Sequence, residues 1–100
     1  MPRKKCFRYI ANHPDVRIFK PMGIPVDELE SVVIHTDELE AVRLSDLDGL
    51  YHEGASEKMK VSRATFGRIL AEGRRKIADA LINGKIVKIE EGNFEVRKED

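Results

Sequence analysis

One cysteine, no glutamine, seven glycines, four prolines and no long apolar run: what this 100-residue chain lacks narrows its class first. A lone Cys6 cannot close an internal disulfide and offers no second thiol to a metal. No stretch approaches the ~18 to 20 apolar residues of a membrane span, so no membrane role is expected. The basic start, Met1-Pro2-Arg3-Lys4-Lys5-Cys6-Phe7-Arg8, has no apolar segment behind it and does not read as a secretory signal. A cytoplasmic, reducing setting is the expectation. The missing glutamine, beside abundant glutamate and lysine, fits a protein that works at high temperature.

What is present is charge, and its distribution carries more than its total. The formal net charge is zero, yet residues 1–20 hold six bases against one acid, and residues 21–51 hold eight acids against Arg43 alone. Residues 52–76 hold seven bases against three acids, and the remainder is mildly acidic. Two basic segments therefore flank an acidic one. Phosphate attraction follows local potential, so a neutral total does not exclude nucleic acid. A chain of this length supports about one domain and one modest core.

The prolines at 2, 14, 21 and 25 forbid a long helix before residue 31, although Arg17–Lys20 can form a short extended piece. The β-branched run 30–35 reads as a strand or extended lead-in. Thr36 then reads as an N-cap, with Asp37 and Glu38 in the first turn and Gly49 just past the end, giving a helix over 37–48. Leu39, Val42, Leu44 and Leu47 are its apolar face. A short helix is predicted over 52–59 and a long one from Arg63 to about Ile82, capped by Ser62 and stopped at Asn83-Gly84. Phe66, Ile69, Leu70, Ile77, Ala80 and Leu81 fall on one stripe of the long helix. Beyond Gly84 the period becomes two, and runs 85–89 and 93–97 around Glu90-Glu91-Gly92 predict a hairpin.

Residues 53–70 have helix-turn-helix spacing. Ser56 is small enough for a close helix crossing, Met59, Val61, Phe66 and Ile69 can fill the crotch, and Ser62 caps the second helix after a short turn. On that helix Ala64, Arg68 and Arg75 lie nearly opposite the apolar stripe. Its N-terminal part would enter the major groove. Arg68 suits the O6 and N7 of guanine, Thr65 and Ala64 could touch a thymine methyl, and Ser62 and Arg63 suit phosphate. Arg75 could reach a flanking phosphate. Lys60 stands where such turns commonly have glycine, because the backbone there takes positive φ at a cost of roughly 1 kcal/mol for other residues. Either the turn is shaped differently, or the strain is accepted because Lys60 meets phosphate.

The stretches 38–51, Val61-Ser62-Arg63-Ala64-Thr65-Phe66-Gly67-Arg68-Ile69 and Ala78-Asp79-Ala80-Leu81, with Ala55 and Met59, resemble an uncharacterised family of small prokaryotic predicted DNA-binding proteins. That family's helix-turn-helix is similar to region 4 of bacterial sigma factors. Cys6, Phe19, Pro21, Gly23 and Pro25 fit it too, so the resemblance covers roughly residues 1–92. It implies a role in transcription.

The fold expected is mainly α: a three-helix helix-turn-helix domain over 32–100 with a short C-terminal β-hairpin, preceded by an irregular basic arm over 1–31. Arg3, Lys4, Lys5 and Arg8 of the arm are either a solubilising tail or a DNA contact. His13, His35 and His52 have no ligand spacing, and Cys6 with His13 gives two ligands where structural zinc needs four, so no metal is expected. Gly67 and Gly73, inside the long helix, permit close approach of another helix or of a phosphate backbone. No nucleophile with a base and an orienting group is apparent, so neither an enzyme nor a cofactor is expected. The expected function is sequence-specific binding of double-stranded DNA by a transcriptional regulator, as a homodimer reading paired half-sites. The alternative is a protein-binding adaptor docking on the transcription machinery, RNA polymerase included.

Overall fold

The β-branched run Ser31–His35 forms strand β3, and the chain passes from it directly into helix α1, Thr36–Val42. The computed structural model describes residues 8–10, 16–91 and 94–96. The N-cap of α1 is His35, one residue before the expected Thr36. His35 ends the strand with extended dihedrals, which is the geometry an N-cap requires, and its N–H donates to Glu38 Oε1 at 2.9 Å. Thr36 becomes the first helical residue and is buried.

The expected α-helix over 37–48 finishes differently. From Arg43 to Leu47 it widens into a π turn, with Asp48 N–H donating to Arg43 O at 2.9 Å. Each π turn takes one more residue than an α turn, so it rotates later side chains out of register. Leu47, expected on the apolar face, is consequently 79% exposed, while Leu44 stays buried.

Helix α2 is His52–Met59 and helix α3 is Arg63–Asn83, joined by residues 60–62. Ala41, Leu44, Ala55, Met59, Phe66, Ile69 and Leu70 form the core between the three helices, with Val42, Leu50 and Val61 packed against it. Full burial of a side chain such as Phe66 contributes about 2 to 3 kcal/mol. Gly73 sets the distance between α1 and α3: a Cβ there would lie 2.9 Å from the Glu38 carbonyl oxygen.

Strand β4, Ile86–Glu90, is the centre of a mixed three-stranded sheet. It pairs antiparallel with β2, Ile18–Phe19, and parallel with β3. The short extended piece expected within 17–20 is thus an edge strand. The expected C-terminal hairpin does not form. Strand β5, Phe94–Val96, instead pairs in parallel with β1, Arg8–Ile10, because both edges of β4 are already taken. The chain before residue 32 therefore supplies a strand to each sheet.

The molecule is mainly α with this small mixed sheet on one side. Leu81 departs from the predicted stripe: it is 77% exposed. With Val16 and Phe19 it borders an apolar groove of about 500 Å³ floored by Ile34, Ile77 and Ile89. Among the described residues no helix is long and apolar enough to cross a membrane.

Candidate nucleic-acid interface

The joint between α2 and α3 closes as a left-handed helix cap. Lys60 has φ 59° and ψ 46°, its N–H donates to Glu57 O at 3.1 Å, and Val61 N–H donates to Ser56 O at 3.1 Å. Glycine usually occupies this position. Of the two alternatives for this turn, a different shape or a positive φ carried by lysine, the second is present. Ser56 is buried and returns its Oγ–H to Glu53 O at 3.1 Å, so it satisfies its own hydroxyl at the helix crossing. His52 lays its ring edge-on to Phe66, with centroids 5.2 Å apart, and fixes the start of α2 over α3.

Helix α3 divides cleanly by face. Phe66, Ile69 and Leu70 are buried, while Ala64, Arg68, Ala71 and Arg75 are exposed on the opposite side. Ser62 Oγ caps the helix by accepting Thr65 N–H at 3.0 Å. It also donates to Thr65 Oγ1 at 3.1 Å, and Arg68 Nη2 donates to the same oxygen at 3.3 Å. Ser62, Thr65 and Arg68 thus form one connected strip along the first two turns. Arg63 and Lys60 are exposed beside it. Among the described residues no carboxylate pairs with Arg63 or Arg68.

The later cations of the basic segment, Arg74, Arg75 and Lys76, are engaged. Arg75 grips Glu72 through two bonds of 3.2 and 2.6 Å, and that hydrogen-bonded guanidinium holds the Glu72 carboxyl below its ordinary range. Arg74 reaches Asp46 at 3.0 and 2.7 Å, with the same downward effect on Asp46, and Lys76 reaches Glu38 at 2.8 Å. Arg43 binds Glu40 at 3.0 and 2.8 Å and Asp48 at 2.9 Å, and the Glu40 bond raises its pKa. The acids of α1 and its π turn therefore oppose the C-terminal half of α3. The positive charge without an acidic partner among the described residues is left at the N-terminal half of α3, on Arg63 and Arg68.

These features sit in a chain whose relatives are numerous. A family model described as "Protein of unknown function DUF134" matches residues 1–97. The chain belongs to this family. It is similar to the UPF0251 protein TTE1845 of Caldanaerobacter subterraneus subsp. tengcongensis, 51% identical over 100 residues, which is all of this chain and 85% of that protein. A UPF0251 protein of Pelotomaculum thermopropionicum is 51% identical over 96% of this chain and 73% of its own length. Another, from Methanococcus vannielii, is 49% identical over 96% of this chain and 74% of its own. No solved structure matches.

In this DUF134 member Lys60, Ser62, Arg63, Ala64 and Arg68 are exposed and Thr65 half-buried at the turn and the first two turns of α3, with Ala64 and Arg68 opposite the core. Arg75 shares the helix face of Ala64 and Arg68 but is tied to Glu72. Arg3, Lys4 and Lys5 lie outside the described residues; the backbone of Arg8 is in β1, and its side chain lies outside them. Cys6 and His13 also lie outside them. One residue, Lys58, escapes a reading of the motif alone. Lys58 is exposed near the end of α2, adding a further cation beside the turn. Gly67 is half-exposed, and a Cβ there would meet only His52 Cδ2 at 3.9 Å, so packing inside the protein does not require glycine. The Glu57-Lys58 pair is the only sequence signal for Lys58.

Proposed function

We propose that this protein binds double-stranded DNA through a helix-turn-helix made of α2, residues 60–62 and α3, and that it acts as a sequence-specific transcriptional regulator. The observation that carries the reading is the position of unmatched charge. Arg63 and Arg68 are exposed in the first two turns of α3 without an acidic partner among the described residues, while Arg74, Arg75 and Lys76 further along the helix are each bonded to one. A recognition helix enters the major groove by its N-terminal part, so this is where cations serve it. In this reading Arg68 meets base edges, Ala64 lets the helix approach closely, and Ser62, Arg63 and Lys60 meet phosphate. Gly67 would leave room for the sugar-phosphate chain. Two copies would read paired half-sites, since one helix offers few base contacts.

The test is fluorescence anisotropy of a labelled duplex pool against salt, followed by sequencing of the tightest-bound fraction. A log–log slope of several units, with an enriched motif, supports the reading, because each neutralised phosphate contributes about −0.9 to that slope. Absence of binding at low salt refutes it.

A second reading has its own observation. Leu47 and Tyr51, in and just after the π turn, are 79% and 88% exposed, which suits a protein-binding adaptor that docks on the transcription machinery. Arg68→Ala separates the two. A DNA reader loses site preference by about 1 to 3 kcal/mol, and an adaptor does not.

A further inference from the structure

The strip of hydroxyls in front of Arg68 has a polarity that can be worked out atom by atom. Thr65 Oγ1 accepts from Ser62 Oγ at 3.1 Å and from Arg68 Nη2 at 3.3 Å. A hydroxyl oxygen has two lone pairs, so both are filled, and the Thr65 proton is left to donate outward. The guanidinium of Arg68 carries five N–H groups and no acceptor. Positions 65 and 68 therefore offer an incoming base edge nothing but donors. Ala64 and Ala71, the neighbours on the exposed face, add no polar side-chain atom.

Resting on the DNA-reading proposed above, we propose that Thr65 is a positioning residue that holds Arg68 for guanine, so that each half-site contains one guanine read through its N7 and O6. Guanine is the base that presents two adjacent acceptors and no donor in the major groove. Adenine presents its N6 amino donor where the O6 of guanine would be, and donors would then face donors. The bond to Thr65 limits the swing of a long exposed side chain, so less freedom is lost when the fork meets the base. Thr65 contributes here through its hydroxyl, which is a different role from contact between its methyl group and thymine.

The experiment uses a duplex recovered by selection, with each guanine replaced in turn by 7-deazaguanine, which pairs normally but lacks the N7 acceptor. The whole protein is compared with Thr65→Val, Thr65→Ser and Arg68→Ala. Replacement of one guanine should weaken the wild-type protein by about tenfold and leave Arg68→Ala unchanged. Thr65→Val, which keeps the shape and the Thr65 N–H bond to Ser62 Oγ, should shrink that discrimination to about threefold with the salt slope unaltered. Thr65→Ser should restore it, a rescue that a merely structural role of the side chain does not predict. Full discrimination in Thr65→Val overturns the positioning role, and a wild-type protein indifferent to every 7-deazaguanine overturns the guanine assignment. Failure to bind any duplex overturns the DNA reading itself, and this inference with it.

Discussion

Gly73 and Gly67 lie six residues apart on α3, and alanine should have opposite effects at the two positions. At Gly73 an added Cβ comes 2.9 Å from the Glu38 carbonyl oxygen, 3.1 Å from Val42 Cγ2 and 3.3 Å from Glu38 Cβ. The nearest of these atoms is backbone and cannot swing aside, so α1 must move off α3. Overpacking of this kind costs about 1 to 3 kcal/mol, against which alanine recovers about 1 kcal/mol of helix propensity. Displacing α1 also strains the Lys76–Glu38 and Arg74–Asp46 pairs that cross the same contact. The net expectation for Gly73→Ala is a loss of about 1 to 2 kcal/mol. At Gly67 the nearest atom is His52 Cδ2 at 3.9 Å, an ordinary contact, so Gly67→Ala should keep the propensity gain of up to about 1 kcal/mol. The two variants should therefore differ by about 2 to 3 kcal/mol, or roughly 10 to 20 °C in Tm for a domain of this size. Urea unfolding followed by far-ultraviolet circular dichroism gives the comparison directly. Equal stabilisation by both alanines would refute the close α1–α3 crossing from which the argument starts.

Three further outcomes follow from the same geometry. Lys60→Gly should raise stability by up to about 1 kcal/mol by relieving the left-handed backbone, and should lower the salt slope of DNA binding by about one unit if Lys60 meets phosphate; thermal melts and anisotropy read the two effects separately. Arg43→Met should cost about 3 kcal/mol in urea unfolding, since it removes two bonds from Glu40, a carboxylate only 3% exposed; a loss below about 1 kcal/mol would mean that the other contacts of Glu40 suffice. Asp46 and Glu72 have folded pKa values depressed chiefly by hydrogen bonds from Arg74 and Arg75, so the unfolded chain binds their protons first. Their stabilisation is present above the ordinary carboxylate range and is lost as pH falls from about 4 downward, and Asp46→Asn should flatten the acid side of a stability–pH curve.

Helix ends were legible because single residues mark them. Ser62 caps α3 through its side chain, and Gly84 ends it with φ 66°, both chemical signals carried within a turn. At residue 60 the sequence allows either a differently shaped turn or an accepted left-handed backbone, and the backbone is left-handed. The core around Met59, Phe66 and Ile69 followed from the 3.6-residue period. The π turn at Arg43–Leu47 was not legible, because five residues are too few for a period to register a shift of one. Nor were the partners of β4. Alternation marks a strand, but Ile86–Glu90 pairs with residues 31–35 and 18–19, and no local pattern distinguishes those neighbours from the nearer run at 94–96. Capping by His35 instead of Thr36 reflects the same limit, since the strand that fixes the dihedrals of His35 is held by that distant pairing.

The charge pattern shows what this distinction means for the candidate interface. Along the chain, residues 21–51 look like an acidic block able to repel a polyanion from the basic segment after it. In the fold, Asp46, Glu38 and Glu40 are each bonded to a base, and two of those bases, Arg74 and Lys76, come from the basic segment 52–76 itself. Pairing across 28 and 38 residues removes charge from the C-terminal half of α3 and leaves that of Arg63 and Arg68 unopposed by an acid among the described residues. A paired charge loses much of its field within a Debye length of about 8 Å, so a polyanion approaching the outward face of α3 meets mainly its first two turns. A net charge of zero is then no argument against a DNA partner. The same acids that balance the total draw the remaining positive potential toward the end of α3 that a major groove would receive.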